Sequence, residues 1–120
     1  MAQDGYARAA TPLKSDRSIE YEVIARITHQ LKATNAQKSK NFPLFAKAVH
    51  DNRRLWTALA ADAASQENML PAALKAQVIY LAEFTQAHSA KVLRGQADIA
   101  PLLDVNIAVL KGLKMQEIRE

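Results

Sequence analysis

The side chains able to move protons or hold a metal are few, and their spacing keeps them apart. The three histidines, His29, His50 and His88, fall on three different predicted helices. None has a second His or a carboxylate four residues along, the spacing that places two metal ligands on one helix face. Asp51 follows His50 directly, so about 100° of helix rotation separates the two. The chain has no cysteine, which excludes disulfides, thiolate metal sites and cysteine nucleophiles. There is no Gly-rich phosphate loop, no nucleophile elbow and no paired buried carboxylates. These residues point away from catalysis: no enzyme activity, cofactor or metal is expected. His88, on an apolar row, reads as a hydrogen-bonded core residue.

What remains is the chemistry of recognition, concentrated in Asn52-Arg53-Arg54-Leu55-Trp56. Trp56 is the single tryptophan. Its place on an apolar stripe reads as core, with a partner anchor as the alternative. Asn52 and Asn106 intrude on apolar faces, where a buried amide must find partners because leaving it unsatisfied costs about 1–3 kcal/mol. Both read as groups that fix packing register, with ligand contact as the alternative. Arg53 and Arg54 read as a solvated face, with the alternative, because they adjoin the stripe, of holding an acidic or amphipathic partner. The candidate partner-binding set is therefore Arg53, Arg54, Asn52 and Trp56, with Asn68, Pro71, Asn106 and Gly112 as structural positions.

These residues need helices to position them, and the composition supplies helices. Of the 120 residues 23 are Ala, against 3 Gly and 4 Pro. Ala has the highest helix propensity, and no alternating Val/Ile/Thr run suggests a strand. The length allows one domain. Four helices are predicted, over roughly 16–33, 42–64, 71–94 and 99–113, in a single all-α bundle, with an arm over 1–14 and a tail over 114–120. Ile19, Val23, Ile27 and Leu31 recur every four residues in the first. Phe45, Ala48, Val49, Asn52, Trp56, Leu59 and Ala63 form the stripe of the second.

Asn41 is the expected cap of the second helix and Asn68 of the third, with Pro71 in its first turn. Asp98 is the expected cap of the fourth. The third carries an apolar row of Leu70, Leu74, Val78, Leu81, Thr85, His88 and Val92, closed by Gly95 as a left-handed stop. Gly112 is a possible end of the fourth. The polar stretch Thr34 to Asn41 reads as a solvated connection, and Tyr6 as a possible pin for the arm.

Net charge is +4, distributed as +5 over residues 1–60 and −1 over residues 61–120. That asymmetry suits RNA or an acidic protein, but it lacks the dense basic stripe usual in nucleic-acid binders. The opening residues have no continuous apolar core. No apolar run approaches the roughly 20 residues of a membrane span, so a cytoplasmic protein is expected.

The motif His50-Asp51-Asn52-Arg53-Arg54-Leu55-Trp56-Thr57, then Asp62, then Asn68-Met69-Leu70-Pro71-Ala72, resembles the signature of the FlaF family of flagellar biosynthesis regulators. Tyr6-Ala7 and Ser15-Asp16-Arg17-Ser18-Ile19-Glu20 resemble that family's amino-terminal segment. Leu103-Asp104-Val105-Asn106 with Gly112-Leu113 resembles its carboxy-terminal one. Asp16 stands where the family pattern has Pro, and Val105 where it has Ile. The resemblance implies a small cytoplasmic helical protein needed for flagellin production and export. The resemblance also implies a link with a partner that regulates flagellin mRNA translation, and a secretion-chaperone action on flagellin.

Two functions follow. The first is a flagellin-binding chaperone and regulator that receives an amphipathic terminal helix of flagellin in an apolar groove. The second is an RNA-associated regulator of flagellin mRNA that holds phosphates through Lys38, Lys40, Lys47, Arg53 and Arg54. Direct nucleic-acid contact is the lesser expectation, since the exposed-aromatic motifs of common RNA modules are missing.

Overall fold

The computed structural model describes residues 16–119, with side-chain surroundings from Glu20 to Leu113. The expected arm, with Tyr6, lies outside the described residues. Four helices follow one another: α1 (Asp16–Ala36), α2 (Phe42–Ala64), α3 (Ala72–Leu93) and α4 (Ala100–Arg119). Among the described residues there is no strand. The fold is all-α, as the composition implies.

Local chemistry explains each boundary. α1 runs three residues beyond its expected end. There the Thr34 hydroxyl donates to the Gln30 carbonyl at 2.7 Å, so a buried Thr is satisfied within the helix. Only residues 37–40 form the turn, closed by Lys40 N–H to the Gln37 carbonyl at 2.9 Å. Asn41 caps α2 as expected, its side chain accepting from the Leu44 N–H at 3.2 Å, with Pro43 in the first turn.

Asn68 is not the cap of α3. Its Oδ1 accepts from the Leu70 N–H at 2.8 Å and its Nδ2 donates to Asp62 Oδ2 at 3.0 Å, which makes it the staple of the α2–α3 turn. The N-cap is Pro71 itself, in extended backbone (ψ 149°), its carbonyl accepting from Leu74 and Lys75. At the other end Gly95 has φ +74°. Its N–H reaches the Val92 carbonyl, and the Gln96 N–H reaches the Lys91 carbonyl at 2.8 Å. This is the Schellman pattern, in which the left-handed residue favours glycine. Asp98 Oδ1 accepts from the Ala100 N–H at 2.9 Å and starts α4.

Gly112 does not end α4, which continues to Arg119. Nor is Gly112 a packing requirement: it is exposed, and an added Cβ would meet nothing within 4 Å. One interior glycine costs a helix only about 0.5–1 kcal/mol, too little to stop it.

Around the bundle the order is α3, α2, α1, α4. α2 packs most extensively on α3, α1 packs on both α4 and α2, and α3 meets α4 only sparingly. No Cα pair of the diagonal helices α2 and α4 comes within 8 Å among the described residues. Three tiers result. One end is closed by the apolar cluster Leu31, Phe45, Ala48, Val49, Val92, Ile99 and Leu102, beside the short α1–α2 and α3–α4 connections. A buried polar layer of Asn52, Thr85, Ser89 and Asn106 lies in the middle. At the far end α3 and α4 have parted.

Candidate functional site

The far end is an open cleft of about 740 Å³. Ile24 of α1, with Trp56, Leu59 and Ala63 of α2, forms its floor. Met69, Leu70 and Pro71 of the turn, with Leu74 and Val78 of α3, form one wall. Val109 and Leu113 of α4 form the other. Among the described residues its charged members are Glu20 and Asp62.

The α3 sequence changes character along the cleft. Leu74, Val78, Ala82, Thr85, Ser89 and Val92 lie on one stripe at steps of three and four. In the closed half the stripe is small, and Ala82, Thr85, Ser89 and Val92 are buried. In the open half it is large: Leu74 remains 43% exposed, and Met69 of the preceding turn is 91% exposed. Burying one such side chain contributes about 1.5–3 kcal/mol, so this wall is apolar surface whose covering would stabilise the molecule.

The floor is held by hydrogen bonds that cross the bundle. Trp56 Nε1–H donates to Asn106 Oδ1 at 2.9 Å, joining diagonal helices. The indole N–H can only donate, so it fixes which end of the Asn106 amide faces it. Asn106 Nδ2 then donates to Asn52 Oδ1 at 2.8 Å and to Thr28 Oγ1 at 3.0 Å. The Thr28 hydroxyl donates in turn to the Ile24 carbonyl at 2.7 Å. Three helices thereby set the position of the indole under the cleft.

The four candidate partner-binding residues separate. Asn52 is 0% exposed and Trp56 1%, so in this conformation neither side chain meets a partner directly. Trp56 is the floor beneath the cleft, and Asn52 supports it through Asn106. Arg53 is half-buried: its Nε donates to Gln86 Oε1 at 2.9 Å, and Gln86 Nε2 donates back to the Arg53 carbonyl at 3.0 Å. It clasps α2 to α3. Arg54 is exposed, 3.8 Å from Asp51, and faces a different surface. Asn106 and Asn68 act structurally. His88 stacks on Phe84 at 5.4 Å between centroids, and its Nε2 is 2.8 Å from the Asp98 carbonyl.

The cleft walls, Leu74, Val78, Val109 and Leu113, were not among the sequence candidates. They read as ordinary core positions because they share a helical period with it. The visible signal is the change along the α3 stripe from large apolar to small polar side chains.

Fold and site together define an all-α four-helix protein, closed at one end and opening into an apolar cleft at the other. The family model of flagellar protein FlaF matches residues 2–113, nearly the whole chain. The chain belongs to the FlaF family and is a flagellar-related protein. No curated protein and no solved structure matches it. No helix among the described residues is long and apolar enough to cross a membrane.

Proposed function

We propose that the protein is a cytoplasmic, non-enzymatic flagellin chaperone whose cleft receives one amphipathic terminal helix of flagellin. The observation that carries this reading is the partly exposed apolar wall of α3, Leu74 and Val78, facing Val109 and Leu113 across a cleft in a FlaF-family chain. A helix laid there buries its apolar face in the helix-in-groove manner. That is the face through which flagellin subunits assemble, so its occupancy keeps the subunit soluble until export. The bound and free forms then present different surfaces to the regulator of flagellin mRNA translation, and so couple synthesis to export.

The RNA reading has less support. Arg53 is engaged by Gln86 and Lys38 lies 5.5 Å over the Phe45 ring. Two of the five cations named for that reading are thus engaged within the chain, which breaks the continuous basic stripe that nucleic-acid binding uses.

The test is retention of purified flagellin, and of fragments lacking either terminal helix, on the immobilised protein. Leu74→Asp places a charge on the wall at a half-open position and is expected to abolish retention while helicity persists. Retention equal to that of the parent would remove the cleft as the site. A salt-sensitive shift of flagellin mRNA by the protein alone would favour the RNA reading.

A further inference from the structure

We propose that the outer face of the α1–α2 pair is a second docking surface, and that it takes an acidic amphipathic helix of a partner protein. A groove of about 760 Å³ runs along this face, and none of its lining residues belongs to the cleft. Its floor is apolar: Val23 and Ile27 of α1, Leu44 and Leu55 of α2. Leu44 is 49% exposed, at the end of α2 that the cleft does not reach. From Leu44 to Ala58 the groove spans about 21 Å of helix, enough for roughly 14 residues of a helical ligand.

The charge on its walls says which helix. Arg26 stands on one wall, with Lys47 and Arg54 on the other. Asp51 is the sole acidic lining residue. It lies between Lys47, at 2.9 Å, and Arg54, at 3.8 Å, whose side chains remain 71% and 84% exposed. A single carboxylate orients these two cations without exhausting their donors, since an ammonium has three N–H groups and a guanidinium five. Lys47 and Arg54 are seven residues apart, about 10 Å or two turns along the axis, so they match acidic residues two turns apart on a bound helix. Arg26 addresses its opposite flank. Among the described residues no aromatic side chain lines the groove, which gives a base nothing there to stack on and favours a protein helix over a nucleic acid. Among the described residues the charged members of the cleft, Glu20 and Asp62, are both acidic. Two partners can therefore sit on the molecule together, one on each side of the α1–α2 layer.

The experiment uses the full chain and a fluorescein-labelled synthetic amphipathic peptide, with Leu on one face and Glu along both flanks, followed by anisotropy. Saturable binding is expected, weakened roughly tenfold or more when Arg26→Glu and Arg54→Glu are combined, and restored in that variant by a peptide with Lys in place of Glu. Leu74→Asp should leave this binding unchanged, which keeps the result independent of the flagellin reading. Circular dichroism and Trp56 fluorescence check the fold; if the double reversal unfolds, Arg26→Gln with Arg54→Gln replaces it. The proposal is overturned by no saturable binding up to about 1 mM peptide. It is equally overturned by equal affinity in the folded double variant, by loss of binding in Leu74→Asp, or by displacement of the peptide by poly(U) RNA.

Discussion

Asn106 uses both amide hydrogens and its carbonyl inside the bundle, so its removal strands several buried groups at once. Asn106→Ala leaves Trp56 Nε1 and Asn52 Oδ1 without a partner, each costing about 1–3 kcal/mol, and opens a cavity besides. Trp56→Phe keeps most of the packing and strands only Asn106 Oδ1. Urea denaturation should therefore rank Asn106→Ala as clearly more destabilising than Trp56→Phe, and the reverse order would show that the network is weaker than its packing. The arginines separate by the same logic. Arg53→Ala breaks the clasp with Gln86 and should destabilise by about 0.5–1.5 kcal/mol. Arg54→Ala touches an exposed side chain and should stay within about 0.5 kcal/mol. Equal losses from the two would mean that the Arg53–Gln86 contact does not persist in solution.

Along whole elements, α3 and α4 depart from their simplest reading in opposite ways. α3 approaches α2 through small side chains, and among the described residues the hydroxyls of Thr85 and Ser89 have no hydrogen-bond partner although both residues are 0% exposed. Replacing an unpartnered buried hydroxyl by a methyl of similar shape removes a desolvation cost without removing a bond. Thr85→Val is thus expected to be neutral or stabilising by up to about 1 kcal/mol. A loss of more than that in the denaturation midpoint would reveal a bond for the hydroxyl. α4 carries Gly112 in its interior with open space around it. Gly112→Ala should raise stability by about 0.5–1 kcal/mol through helix propensity, read as a higher melting temperature. Destabilisation would indicate that α4 bends or ends there in solution.

For the molecule as a whole, the closed end and the open end should behave differently. Local opening follows low packing density, and the seam where α3 meets α4 sparingly is the place for it. Amide hydrogen exchange is expected to be fastest in the first half of α3 and the second half of α4, and slowest around Val49 and Leu102. Occupancy of the cleft by a terminal flagellin helix should slow exchange in those same two halves. Uniform protection along α3 in the free protein would mean that the cleft is shut most of the time.

Helix number and type, and the Asn41, Asp98 and Gly95 boundaries, were decided by local chemistry: alanine propensity, apolar steps of three and four, and caps acting within one turn. Those are short-range effects, so the sequence alone determines them. The burial of Trp56 was legible too, from its place on the α2 stripe. What the tertiary structure decided depends on which helices become neighbours. Period alone cannot distinguish Leu74 and Val78 on an open wall from Val92 in a closed core, since all three share one stripe. Nor can it say that Asn52 and Asn106, 54 residues apart, bond each other, or that of two adjacent arginines one clasps α3 and the other faces solvent. The cleft arises from the parting of α3 and α4, a relation between elements that no single segment encodes.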